Sequence, residues 1–141
     1  MADKNALYDL GIATMLQDPV PLELKHLFCD GLYGRIIKMP RRTVVMTAIH
    51  KRDNITVVMT GKCRVVKPDG KQEIITAPAY FVTPAGTQRA VYIERESVWL
   101  TAHATNAKTV EDAECDLAEM PDFFKDFISM IEQEHEQELI S

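Results

Sequence analysis

The sequence predicts an all-β sandwich or barrel with a helix at each end. Three observations predict it. Between Leu22 and Ala104, short runs rich in Val, Ile, Thr and aromatic residues are punctuated by turn residues, giving about nine strands. At the centre of that region, 44–61 reads as two strands joined by a turn at Lys51, Arg52, Asp53 and Asn54. Apolar residues recur at helical spacing only outside it, as Leu7, Ile12, Met15 and Leu16 and as Met120, Phe123, Phe124, Phe127, Ile128 and Ile131.

In chain order, Asp3 to Gln17 is the first helix, with Asp3 as N-cap and Gly11 as a weak point. Asp18-Pro19-Val20-Pro21 ends it and starts an extended arm. Strands are expected at Leu24–Cys29, Tyr33–Lys38, Val44–His50, Asn54–Thr60, Lys62–Lys67, Gln72–Ile75, Tyr80–Thr83, Arg89–Ile93 and Val98–Ala104. Asp30-Gly31 and Pro68-Asp69-Gly70-Lys71 are turns, because Gly supplies positive φ and Asp bonds back to the backbone. Gly61 is expected to break its strand at a tight turn. Asn106 to Glu119 is polar and reads as a linker or strap. A second helix starts at Pro121, with Asp122 near its positive end. The chain divides into an N-terminal helix and arm (1–21), the β region (22–104), and an acidic linker with an amphipathic helix (105–141).

The length of 141 residues suits one domain with extensions. No apolar run approaches the roughly 20 residues needed to cross a bilayer. The N-terminus lacks the basic start and apolar run of a signal peptide. Cys29, Cys63 and Cys115 are odd in number and widely spaced, which predicts neither a disulfide framework nor a metal knuckle and favours a reducing cytoplasm. The net charge of −5 is unevenly spread. Residues 109–141 hold eleven acids and one base, and residues 1–108 hold ten acids and fifteen bases. The acidic tail is either a solvated helix face or a screen for the basic body. Nucleic acid is not expected as a partner on this composition, since the basic excess is small and aromatic residues do not interleave with it.

Period 2 sorts the strand residues by face. Met46, Ala48 and His50 share one face, as do Tyr33 with Arg35, and Trp99 with Thr101 and His103. The region 44–104 resembles the cupin superfamily of small jelly-roll barrels. The resembling residues are His50, then Asn54 and Gly61 at the spacing of a cupin glutamate and glycine, then Pro84-Ala85-Gly86 followed by Arg89. The resemblance implies a cupin-like jelly-roll barrel and places four residues where such proteins hold a metal: Ala48, His50, Asn54 and Arg89. Only His50 is a metal ligand by type, so no metal cofactor is expected. A longer stretch, including Leu24-Lys25-His26-Leu27-Phe28, Val82 to Arg89 and Val98 to His103, is similar to cupin-like proteins of tailed-phage genomes, which implies viral origin and a host cytoplasm.

Arg89 is the most informative departure. By the resemblance it points into the barrel, where a buried arginine must meet an anion or an internal carboxylate such as Asp53 or Glu94. Arg41, Arg42, Lys51 and Arg52 lie in two turns that could share one barrel end and raise the potential there. The expected function is non-enzymatic binding of a small anionic ligand, nucleotide-like ones included, with Arg89, His50, Tyr33, Arg35, Trp99, His103, Asn54 and Arg52 as candidate contacts. Sequestering a host signal is one use of such a pocket. The alternatives are a metal-dependent cupin enzyme of isomerase or dioxygenase type with an atypical ligand set, and a structural or interaction module. The apolar stripes of the two end helices predict a homodimer or higher homo-oligomer.

Overall fold

The computed structural model describes residues 22–119, together with 129, 130, 132 and 133. The expected N-terminal helix lies outside the described residues. Of the expected C-terminal helix, Ser129, Met130, Glu132 and Gln133 are described, and they are helical and exposed. Among the described residues, no helix is long and apolar enough to cross a membrane.

The strands are β1 (Glu23–Cys29), β2 (Leu32–Met39), β3 (Val44–Met46), β4 (Ile49–His50), β5 (Asn54–Val66), β6 (Gln72–Thr76), β7 (Ala79–Thr83), β8 (Ala90–Ala104) and β9 (Ala118–Glu119), with one helix, α1 (Val110–Leu117), before β9. All pairings are antiparallel. The long strands β5 and β8 pair along most of their length and form the spine. One half of the spine continues on both sides as β1-β2-β8-β5-β7, and the other half carries β3 and β6. Sharing two strands between both halves folds the sheet over a single interior.

Four expected strands therefore merge into two. Gly61 does not end its strand. At φ +96 it sits in a bulge between Val58 and Cys63, where the pairing to β8 shifts register. A bulge bends a strand without ending it. A Cβ on Gly61 would press into Glu96 and Ser97 of β8, so the two bent strands touch at that residue. Conversely, the expected strand Val44–His50 is interrupted. Thr47 leaves the ladder to bind Arg89: its amide donates to the Arg89 carbonyl at 2.9 Å, and its hydroxyl accepts from the Arg89 amide at 2.9 Å.

Met39, Val58, Cys63, Val65, Ile75, Val91, Ile93 and Trp99 form the main core, on both halves of β5 and β8. Burial of each large side chain there contributes roughly 1.5–3 kcal/mol. The segment expected to be a linker is instead ordered structure. Thr109 caps α1 by accepting from the Asp112 amide at 3.2 Å, and Glu111 and Asp112 sit at the positive helix end. Ala113 and Leu117 of α1 are buried against Tyr33, and β9 pairs with β4. The acidic strap is thus packed over one mouth of the barrel.

Candidate functional site

Alternation turns Tyr33, Arg35, Ile37 and Met39 of β2 to the interior. Register then builds cross-strand layers. Ile37, Trp99 and Val58 stand side by side as an apolar layer. Arg35, Thr101 and Thr56 form the next layer, and Tyr33 pairs with His103 beyond it. The layers surround a cavity of about 90 Å³. Its apolar end is made by Ile37, Met39, Val45, Val91 and Trp99. Its polar end is made by Arg35, His50, Asn54, Thr56, Thr83, Arg89 and Thr101. Among the described residues, no carboxylate lines it.

The turn that carries Arg89 is docked on the β4–β5 turn. The Gly86 amide donates to the His50 carbonyl at 2.9 Å, and the Ala85 amide to Asp53 Oδ1 at 2.7 Å. Asp53 therefore serves the backbone rather than Arg89. Glu94, the other expected partner, is taken by Lys62 and Arg64 at 3.5 and 3.1 Å. Arg89 lies over the Phe81 ring, 5.4 Å from its centroid, and one Nη donates to Thr83 Oγ1 at 3.0 Å. Thr83 Oγ1 in turn meets Thr56 Oγ1 at 2.8 Å, and Thr56 donates to Asn54 Oδ1 at 3.1 Å. With Thr56 donating to Asn54, the hydroxyl of Thr83 must donate to Thr56, and all three bonds run in one direction. Burial lowers the Arg89 pKa, yet a guanidinium stays charged. Among the described residues, neither Arg35 nor Arg89 has an ion-pair partner. The Nε atoms of both, and Nε1 of Trp99, are buried without a hydrogen-bond partner.

His50 and His103 face each other with ring centroids 4.6 Å apart. Burial first, and then the neighbouring His50 and Arg35 charges, push the His103 pKa down to about 4. Burial and Arg35 lower that of His50. His103 Nε2 bonds Thr101 Oγ1 at 2.8 Å, and Tyr33 stacks on the His103 ring at 5.9 Å. Tyr33, Arg35, His50 and His103 also line a second compartment of about 170 Å³, closed by Ala113, Glu114 and Leu117 of α1. An outer cleft of about 600 Å³, with Lys67, Glu73 and Phe81 on its walls, reaches the other side of Arg89.

Of the eight expected contacts, Arg35, His50, Asn54, Arg89 and Trp99 line the main cavity, and Tyr33 and His103 line the adjoining compartment. Arg52 does not join them. Its guanidinium is held outside by Asp116 at 2.6 Å and the Ala104 carbonyl at 3.0 Å, because the α1 strap captures the turn. The four turn cations do not form one cluster. The Arg42 amide bonds Ile93 in one half of β8, while Lys51 and Arg52 bond Cys115, Leu117 and Ala104 at the strap. Thr56 and Thr83 were missed as site residues. Both follow the period-2 pattern of their strands, but threonine in a strand carries no signal that separates a site from a sheet face.

The residues at the cupin metal positions do not fit a transition metal. Ala48 has no donor atom and Arg89 is a cation. The Asn54 carbonyl is already a hydrogen-bond acceptor. His50 and His103 make only a pair, and no group of three or more His, Cys, Asp or Glu side chains converges among the described residues.

No protein family and no curated protein matches the sequence. Solved structures do match the fold. The ethanolamine utilization protein EutQ of Salmonella typhimurium LT2 aligns with a TM-score of 0.54 at 15% identity, over 64% of this chain and 74% of its own. A cupin domain from Bordetella pertussis Tohama I aligns at 0.51 and 16%, over 63% and 98%. KdgF from a Halomonas species aligns at 0.51 and 21%, over 62% and 84%. These likenesses show that the chain has the cupin fold.

Proposed function

We propose that this cupin-fold chain is a binding protein for a small organic acid, without metal chemistry. One observation carries the reading. Two half-buried guanidinium groups, Arg35 and Arg89, border one cavity that has no carboxylate on its wall among the described residues. A buried donor left unpaired costs about 1–3 kcal/mol, and more when charged. A ligand carrying a carboxylate or phosphate would pair with the two guanidinium groups that border the cavity. The apolar layer of Ile37, Met39 and Trp99 takes a short hydrocarbon or aromatic part.

Cavity size limits the ligand. One water needs about 10–15 Å³ by the same measure, so a space of about 90 Å³ holds the acid group and a few more atoms. A nucleotide could place only its phosphate there. The uncharged imidazole of His50 at the polar end supplies a hydrogen bond without adding positive charge at neutral pH.

The test is mass spectrometry of small molecules released when the purified protein is denatured, followed by thermal melts with a panel of acids. A released acid that raises the melting temperature in proportion to the logarithm of its concentration supports the reading. A neutral or cationic molecule that stabilises the protein more than any acid overturns it.

A further inference from the structure

We propose that the compartment beneath α1 is the second half of the ligand site, where Glu114 takes a protonated nitrogen, so that the ligand is an amino acid or similar zwitterion rather than a plain acid. The inference rests on the reading of Arg35 and Arg89 as the acid-binding end, and an amino acid keeps the carboxylate which that reading requires. Arg35, Ala48 and His50 line both the main cavity and the compartment, so the two spaces meet at these residues. Ala48 has no side chain beyond Cβ to close the junction. The compartment, at about 170 Å³, is the larger of the two.

The two ends of this joined space differ in charge. The main cavity has two guanidinium groups and, among the described residues, no carboxylate. The compartment has Glu114, the one carboxylate lining either space among the described residues. Arg35 shares the compartment, yet among the described residues no cation forms an ion pair with Glu114. Burial raises the Tyr33 pKa, Arg35 lowers it and Glu114 raises it, so both charges lie within reach of the same buried ring. His50 and His103 are held below their ordinary pKa, by burial first, and stay uncharged at neutral pH. They leave the Glu114 charge in place.

The fold fixes Glu114 at the compartment. It lies on α1 three residues before Leu117, on the flank of the face that Ala113 and Leu117 bury against Tyr33. The helix is held around it: Thr109 caps its start, Lys51 Nζ donates to the Cys115 carbonyl at 3.2 Å, and Arg52 holds Asp116 at 2.6 Å. A carboxylate placed there repels a second acid group of the ligand. It receives an ammonium through charge-assisted hydrogen bonds, which are about twice as strong as the neutral bonds a hydroxyl would make.

Calorimetric titration of the full chain with matched pairs tests the proposal. The amino acids are glycine, β-alanine, γ-aminobutyrate and δ-aminovalerate. Each is compared with the acid that lacks the amine, and butylamine is the third arm. The expected result is a chain length at which the amino acid binds about tenfold or more tightly than its parent acid. Glu114→Gln, an isosteric change at an exposed residue, should erase that ratio and leave the parent acid within about twofold. Glu114→Lys should reverse the order of the pair. Parent acids that bind as tightly as their amino partners at every length overturn the inference and leave the acid-binding reading standing. Equal loss of both ligands in Glu114→Gln, with an unchanged circular-dichroism spectrum, makes Glu114 a part of the strap's structure and equally overturns it. Binding by no member of the series up to about 10 mM also overturns it, while the released-ligand measurement tests the acid reading by itself. Butylamine that binds more tightly than every acid and amino acid overturns that reading, and this inference with it.

Discussion

Arg89 and Asn54 are the two ends of one chain of hydrogen bonds that passes through Thr83 and Thr56. In the cupin pattern these two positions hold metal ligands. Here one is a donor-only cation, the other is an acceptor, and two threonine hydroxyls connect them. The polarity of the chain uses one Nη of Arg89 and leaves its other donors outside these bonds.

Arg89→Met should therefore separate binding from stability. No carboxylate partners Arg89 among the described residues, so the substitution strands no buried charge. The fold should lose only the contact with Phe81 and one hydrogen bond, about 1–2 kcal/mol. Binding of the released acid should fall roughly 10- to 100-fold, as expected for one charge-assisted bond. Calorimetric titration and a urea melt measure both quantities. A large stability loss with unchanged affinity would show that Arg89 is structural.

His103 predicts an acid-sensitive fold. Its folded pKa of about 4 lies below the ordinary value of 6.5, so between these pH values the unfolded chain takes up a proton that the folded chain refuses. Stability should fall as pH drops from about 6.5 to 4, by up to about 3 kcal/mol, and this contribution should level off below. The carboxylates of Glu94 and Asp116, held below their ordinary 4.5 and 3.8, add to the fall only toward the low end of that window, so its upper part reports the histidines. His103→Gln should flatten the profile between pH 6.5 and 4.5 in denaturant melts. A slope there that survives the substitution would assign it elsewhere, with His50 the next residue to change.

Gly61→Ala should be among the most damaging small substitutions. The new methyl would meet the Ser97 Cα at 2.7 Å, and the residue would hold φ +96 with a side chain. Backbone strain of about 1–2 kcal/mol adds to the clash, and roughly 3 kcal/mol or more in total is expected. Gly70→Ala is the control. It has φ +80 but open space, and should cost only the backbone part. Paired thermal melts of the two variants check the difference.

Chelators should leave the melting temperature unchanged. A resident metal stabilises the state that binds it, and Ala48, His50, Asn54 and Arg89 do not make a ligand set. Near-stoichiometric zinc, iron or manganese in purified protein, with loss of it in His50→Ala, would be the contrary outcome.

Much of the architecture was legible along the chain. The ranges of β1, β2, β6 and β7 follow from β-branched runs bounded by Gly, Pro and Asp, because such turns are local. The breaks inside β5 and β8 were expected but do not occur. Gly61 signals positive φ, yet whether positive φ ends a strand or bulges it depends on a neighbour, and that neighbour is Ser97. The α1 helix was missed although Thr109 and the acids after it form an N-terminal signature. Its apolar face is only Ala113 and Leu117, too short for periodicity to register.

The sequence by itself determined which residues of a strand share a face. Alternation is a property of the strand backbone, so Tyr33, Arg35, Trp99, Thr101 and His103 could be assigned to faces without a partner in view. The resemblance to cupins then put Ala48, His50, Asn54 and Arg89 at that family's ligand positions. Only the tertiary structure decided what those residues meet. Arg89 touches Phe81 and Thr83 rather than Asp53 or Glu94, and Arg52 is drawn outside by Asp116. Each of those outcomes rests on contacts between segments distant in the chain. Face is set by the two-residue period of one strand, whereas partnership is set by register between strands and by which carboxylate is already engaged.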